Sequence, residues 1–81
     1  MRLIDKVFNM RNGSHSIHIS ELSHLPYESL LKVKLNGVGY DILNGVIPTP
    51  GLRQVQFISS FGLLVFDTAQ NDSRVYILYK H

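Results

Sequence analysis

Histidine is the residue in this sequence best suited to catalysis or metal binding, and three of the four histidines lie close together. His15 and His18 are three positions apart, and His24 follows six positions later. Residues three apart on a β-strand point to opposite faces, so His15 and His18 would not share a metal ion. No aspartate or glutamate stands at a recognised metal-ligand spacing from them. We therefore interpret these histidines as surface residues and predict neither a metal site nor a cofactor.

Other catalytic patterns are missing from the sequence. None of the serines lies in the Gly-x-Ser-x-Gly turn of hydrolases, and Gly37-Val38-Gly39 lacks the third glycine of a phosphate-binding loop. A histidine, a lysine or arginine and a tyrosine could together support a metal-independent ribonuclease through general acid–base catalysis. Because most proteins contain these residue types, we predict that the chain is not an enzyme and keep the ribonuclease as a second alternative.

Aromatic and basic residues on the predicted strands indicate binding more strongly than catalysis. Small β-barrels bind single-stranded RNA or DNA by stacking bases on exposed aromatic rings within a basic groove. The edge strands of small sheets also pair with other proteins or with a second copy of the same chain. The candidate binding residues, for a protein or a nucleic acid, are Lys32, Lys34, Asp41, Arg53, Arg74 and Tyr76.

Length and composition restrict the class of protein further. The chain has 81 residues, of which 44% are hydrophobic, so a single domain over residues 1–81 is expected. It contains no cysteine, which excludes disulfides and cysteine-ligated metals. Eight basic and six acidic residues give a net charge of only +2, and the basic residues are spread along the chain. With neither a membrane-length apolar run nor a signal peptide, we expect a cytoplasmic protein.

Turn signals recur at short intervals and indicate a mainly β or an α+β protein. Asn-Gly pairs occur at residues 12–13, 36–37 and 44–45, and Pro50-Gly51 suits the centre of a type II turn. The runs between them are rich in Val, Ile, Leu, Phe and Tyr, which is typical of antiparallel sandwiches and small barrels. We predict an antiparallel sheet or barrel of about five to seven short strands, with one short N-terminal helix or helical turn.

The clearest predicted element is a hairpin over residues 31–42. Asn36-Gly37 is the strongest short hairpin signal, because both central positions of a type I′ turn require a positive φ. One face of this hairpin is apolar and the other carries charges, so its register is well specified. The predicted pairs, from the turn outwards, are Leu35–Val38, Lys34–Gly39, Val33–Tyr40, Lys32–Asp41 and Leu31–Ile42.

Three further strands are predicted in the C-terminal third. Residues 52–58 alternate, with the glutamines facing out and Val55 and Phe57 facing in. The run 61–68 is nearly all apolar, which favours a central strand covered on both faces, with burial against a second copy or a partner as the alternative. Residues 74–80 alternate again, and a turn about residues 71–72 would pair them with the preceding strand.

The N-terminal third fits two interpretations. Leu, Ile, Val and Phe recur at helical spacing over residues 2–11, which favours a helix there. A turn at Asn12-Gly13 could instead form a hairpin between residues 3–10 and 14–20. We favour the helix, followed by a strand over 15–20 and a loop with one helical turn beginning at Pro26.

The leading functional hypothesis is a small non-enzymatic module that binds another protein. In its size and lack of cysteine the chain resembles, in style and not by any motif, small accessory or inhibitor proteins of phages and mobile elements. The expected partners are another protein or a second copy of the chain; nucleic acid is the alternative, and no membrane is expected. An 81-residue chain has few residues left to build an internal catalytic cleft, which favours binding over catalysis.

Overall fold

The computed structural model describes residues 2–11, 13–68 and 72–81, which form seven strands and two short 3-10 turns. The strands are β1 (Leu3–Met10), β2 (Ser16–His18), β3 (Leu30–Leu35), β4 (Val38–Asn44), β5 (Gln54–Ile58), β6 (Leu63–Phe66) and β7 (Ser73–Lys80). The 3-10 turns are Ser20–Leu22 and Tyr27–Ser29, and the second follows Pro26, where one helical turn was predicted. The mainly β fold class and the strand number are confirmed.

All seven strands belong to one mixed sheet that curls into a nearly closed barrel. The strand order is β1-β7-β3-β4-β5-β6-β2, and every pair is antiparallel except β4 with β5. The strand β4 serves two ladders, since Val38–Tyr40 pair with β3 whereas residues 41–44 pair with β5. In the part of the chain that is described, no helix is long and apolar enough to cross a membrane.

The barrel encloses one apolar core, and alternate residues of the strands face it. Val55 and Phe57 of β5 are buried, as the alternation of that segment predicts. Leu64 and Phe66 of β6 are also buried, so the apolar run 61–68 contains a strand that is covered within the chain itself. The buried apolar residues are Met10, Ile19, Leu22, Leu30, Val33, Leu35, Val55, Phe57, Leu64, Phe66, Val75, Ile77 and Tyr79.

The β3–β4 hairpin turns at Asn36-Gly37, as predicted, with φ values of 51° and 82°. The Asn36 amide also ties this turn to β7, because its Oδ1 accepts a hydrogen bond from the Arg74 backbone N–H at 2.9 Å. The three pairs nearest the turn have the predicted register. The pairs Lys32–Asp41 and Leu31–Ile42 are wrong, because β4 leaves β3 after Tyr40, and Asp41 and Ile42 pair with β5.

The strand β3 also has an irregularity in its pairing with β7. The pairing of β3 with β7 shifts between Leu30 and Lys32, which leaves Leu31 as an extra residue. Leu30 is therefore buried and Leu31 is exposed, although the sequence pattern placed Leu31 on the apolar face. Bulges of this kind bend a strand and increase its twist, which helps a small sheet to close.

The structure contradicts the helix predicted over residues 2–11, its alternative hairpin, and the predicted pairing of the last two strands. Leu3–Met10 form β1, which pairs along its whole length with β7, not a helix or a hairpin with β2. The strand β6 pairs with β5 and β2 and not with β7. The turns predicted at Asn12 and Asn71 fall on residues outside the described part of the chain.

The loop between the parallel strands β4 and β5 is held by hydrogen bonds to three side chains. The predicted type II turn at Pro50-Gly51 is confirmed, with Gly51 at φ 85° and the Leu52 N–H donating to the Thr49 carbonyl at 3.3 Å. The Gly51 N–H donates to Asp67 Oδ2 at 2.9 Å. From β5, Gln54 Oε1 accepts from the Thr49 N–H, and Gln56 Nε2 donates to the Gly45 carbonyl.

Gly62 is the glycine that the packing of the barrel requires most. It has a φ of +65°, and an added Cβ would lie against the Ile19 carbonyl oxygen and 2.7 Å from the Ser23 nitrogen. We expect Gly62→Ala to lower the free energy of unfolding by at least about 2 kcal/mol, from left-handed strain and backbone overlap together. Gly39→Ala is the matched control, because its Cβ would meet no atom within 4 Å. Urea denaturation monitored by circular dichroism measures both, and equal stabilities of the two variants would contradict this packing.

Candidate binding surface

The outward side chains of β1, β7 and β3 form one continuous surface, which we call the outer face. Directly opposed residues of antiparallel strands share a face of the sheet. Val7 lies opposite Tyr76, and Tyr76 lies opposite Lys34, so these three side chains form a row across the strands. The outer face consists of Leu3, Asp5, Val7, Asn9, Lys32, Lys34, Arg74, Tyr76, Leu78 and Lys80.

Folding concentrates positive charge on the outer face. Four of the eight basic residues of the chain lie there, Lys32, Lys34, Arg74 and Lys80, with Asp5 as the one carboxylate of the set. The surplus is three positive charges, whereas the whole chain has a net charge of +2. A basic face of this kind attracts acidic partners and accelerates their association at low salt.

Tyr76 holds the centre of the outer face in one arrangement. The Lys34 Nζ lies 6.0 Å from the centroid of its ring, at the limit of a cation–π contact. Its hydroxyl donates a hydrogen bond to Asp5 Oδ2 at 3.3 Å. Partial burial and the neighbouring Asp5 carboxylate both raise the pKa of Tyr76. The ring is therefore a neutral, oriented link between β1, β7 and β3.

Apolar side chains lie between the charges on the β1 side of the outer face. Leu3 is 66% exposed and Val7 is 57% exposed. Leu78, on the adjacent strand β7, is half-buried. A mixture of exposed aliphatic residues, an aromatic ring and flanking charges is typical of surfaces that bind other proteins.

The strand β1 is also an open edge of the sheet. Arg2 and His81 exchange two backbone hydrogen bonds, of 3.0 and 2.9 Å, at one end of the β1–β7 ladder. Because antiparallel pairs alternate, the even-numbered residues of β1 bond to β7 and the odd-numbered ones point their N–H and C=O groups away from it. Within the described residues, no turn or loop supplies a backbone partner for those of Leu3, Asp5, Val7 and Asn9.

One ion pair crosses the opening of the barrel next to this edge. Lys6 Nζ lies 2.8 Å from Glu21 Oε2, which joins β1 to the 3-10 turn after β2. The hydrogen bond between the two groups raises the pKa of Lys6 and lowers the pKa of Glu21. Both side chains are exposed enough for solvent to weaken the pair, so it orients Lys6 more than it stabilises the fold.

The structure brings together four of the six predicted binding residues. Lys32, Lys34, Arg74 and Tyr76 share the outer face. Asp41 and Arg53 lie together elsewhere, where β4 passes from β3 to β5, and the Asp41 N–H donates to the Arg53 carbonyl at 2.9 Å. Arg53 has a φ of 53°, an unfavourable backbone conformation for a residue other than glycine.

A second cluster of polar groups lies beside Arg53. Burial and the nearby Asp67 carboxylate raise the pKa of Tyr40, while Arg53 acts in the opposite direction. Asp67 Oδ1 is buried and has no hydrogen-bond partner among the described residues, whereas Oδ2 accepts from the loop at Gly51. We assign this cluster a structural role, because it fixes the start of β5 and the β4–β5 loop.

His18 and His24 lie on another side of the barrel, whereas His81 lies at the end of the β1–β7 ladder. His18 is in β2 opposite Leu63, and the His24 N–H donates to the Ser59 carbonyl at 2.7 Å, so both belong to the β5–β6 side. None of the described residues of the outer face is a histidine. Across the described ranges, no three His, Asp or Glu side chains converge as metal ligands would.

Sequence reasoning missed the β1 half of the outer face. The apolar residues at 3 and 7 face out and those at 4 and 8 face in, so each face of β1 repeats every four residues. A strand with apolar residues on both faces thereby imitates the spacing of a helix. The β-branched and aromatic residues Ile4, Val7 and Phe8 were the signal that could have indicated a strand.

Comparison with protein families, with curated proteins and with solved structures finds no match to this chain. The proposed function therefore rests on the outer face and the edge of β1.

The double substitution Lys32→Glu with Lys34→Glu tests whether the charged side chains of the outer face are needed for folding. We expect the variant to fold and to lose no more than about 2 kcal/mol, because both side chains point away from the core and the Tyr76 contact is weak. Val33→Glu, on the same strand, is the control: Val33 is only 1% exposed, so this variant should fail to fold. Thermal unfolding followed by circular dichroism checks both. An unfolded double variant would show that the register of β3 is wrong.

Proposed function

We propose that this protein is a non-enzymatic module that binds another protein through the edge of β1 and the outer face. The observation that carries the proposal is the open edge of β1: among the described residues, this eight-residue strand pairs with β7 and with no other strand. An extended segment of a partner would continue the sheet beyond β1 and satisfy the outward N–H and C=O groups of its odd-numbered residues.

The side chains next to this edge supply specificity. Leu3 and Val7 stand on the outer face and would contact alternate residues of an added strand. The four cations of the outer face lie further in, on β7 and β3, where a chain that continues from the added strand would cross them. The partner is therefore expected to combine an extended apolar segment with acidic residues.

A nucleic-acid ligand fits the same surface less well. Base stacking needs an exposed ring face, but the Lys34 ammonium lies over the Tyr76 ring. The Tyr76 hydroxyl is engaged by Asp5, and this carboxylate would repel phosphate groups at the centre of the face. These two contacts favour a protein over single-stranded RNA or DNA.

Val7→Pro tests strand addition at β1. The Val7 N–H points away from β7, so proline removes an outward donor and leaves the ladder with β7 intact. We expect the variant to fold and to lose at least tenfold in affinity for the partner. The partner is first captured on the immobilised wild-type protein from nuclease-treated host extract, then purified and titrated by calorimetry.

Ile47→Ser is the matched control for this titration. Ile47 is 80% exposed in the β4–β5 loop and lies outside the proposed surface, so its loss should leave the affinity unchanged. Hydrogen exchange supplies a second measurement: the amides of Leu3, Asp5, Val7 and Asn9 should exchange quickly in the free monomer and slowly in the complex. Unchanged affinity of Val7→Pro would contradict the proposal. Capture that disappears with nuclease, together with oligonucleotide binding that weakens as salt rises, would favour the nucleic-acid alternative.

A further inference from the structure

The β1 edge lacks most of the features that prevent edge strands from pairing. It contains no proline and no bulge, and it pairs with β7 without interruption over eight residues. Its one inward lysine, Lys6, is bonded to Glu21. Near its middle, Val7 is 57% exposed beside backbone groups that point away from β7.

We propose that β1 pairs with β1 of a second copy of the chain, antiparallel, about a two-fold axis that passes between the two Val7 residues. This inference rests on the proposed function, in which the edge of β1 is the binding element: a second copy occupies that edge in the absence of the partner, and the two compete for it. The pairing would join two seven-stranded sheets into one continuous sheet of two protomers.

Backbone geometry limits the registers that such a dimer can adopt. Only residues whose N–H and C=O groups point outwards can bond across the interface, and in β1 these are the odd-numbered residues. A two-fold axis further requires that a residue pair with itself, or that two residues pair reciprocally. Three registers remain that form at least three bonded residue pairs, and they are centred on Asp5, Lys6 and Val7.

Charge selects among these three registers. Centring on Asp5 places two carboxylates directly opposite each other on the outer face. Centring on Lys6 places two ammonium groups opposite each other in a closely spaced pair. Like charges at opposed positions destabilise a sheet, so both registers are disfavoured.

The register centred on Val7 has no such conflict. It sets the two Val7 side chains against each other and places the Asp5 carboxylate opposite the Asn9 amide of the second copy, which can donate to it. On the inner side it places Ile4 opposite Met10 and Lys6 opposite Phe8. The exposed aliphatic surface of Val7 becomes covered, and every charged residue of β1 faces a neutral one.

The same register extends the outer face instead of covering it. A two-fold axis perpendicular to the sheet places both outer faces on the same side. The cations lie on β7 and β3, at least one strand away from the axis, so they do not meet their own copies. The dimer would then present eight cations on one broad face.

The absence of cysteine from the chain permits a direct test by cross-linking. Across the proposed axis the two Cα atoms of residue 7 would be about 5.5 Å apart, within the range of a disulfide. Val7→Cys should therefore form a covalent dimer on mild oxidation at micromolar concentration. Asn9→Cys is the matched control: its two copies would be about 14 Å apart, so it should remain uncross-linked.

Light scattering and hydrogen exchange on the wild-type protein keep the proposal testable if a variant misfolds. The expected result is a mass that rises to that of a dimer with concentration, together with protection of the Leu3, Asp5, Val7 and Asn9 amides. A monomer up to hundreds of micromolar would overturn self-pairing, as would a dimer that cross-links through residue 9 and not residue 7. Neither result would overturn the proposed function, which fails if Val7→Pro binds the captured partner as tightly as the wild type does, or if capture depends on nucleic acid.

Discussion

The fold depends on the division of β4 between two ladders. This chain contains no cysteine, so strand pairing and side-chain packing close its sheet around the core without disulfides. Val38–Tyr40 bond to β3 and the remaining residues of β4 to β5, so the strand turns the sheet from one side of the core to the other. The parallel pairing with β5 then requires a loop that returns along the strand, and Gln54, Gln56 and Asp67 hold it in place.

Local signals predicted the local parts of this fold. Asn36 and Gly37 readily adopt the positive φ values of a type I′ turn, and this predicted the β3–β4 hairpin. The alternation of Val55 and Phe57 with polar residues predicted the strand β5. Distant pairings left no such mark on the sequence: nothing near residues 3–10 or 74–80 indicates that the first and last strands pair. The extra residue at Leu31 could not be predicted either, because an irregularity in pairing depends on the partner strand.

The residues of the candidate site also differ in how well the sequence predicts their positions. Lys32, Lys34, Arg74 and Tyr76 could be predicted because they alternate with core residues on strands whose pattern is clear. Asp41 is also polar and outward in the sequence pattern, but the departure of β4 from β3 carries it away from the others. The core of so small a barrel is filled by its own side chains, and the proposed binding surface lies on the outside of the sheet.

The position of β7 in the sheet has a consequence for how the chain reaches its native state. This strand lies between β1 and β3, and its first partner pair joins Leu3 to Lys80. Bringing such distant residues together costs chain entropy before the ladder repays it, which slows folding. The hairpins β3–β4 and β5–β6 can form early because their turns are short, whereas β1 waits without a partner until β7 has been synthesised. Until β7 is available, β1 therefore has two open edges, which is the state of this chain most exposed to pairing with other chains.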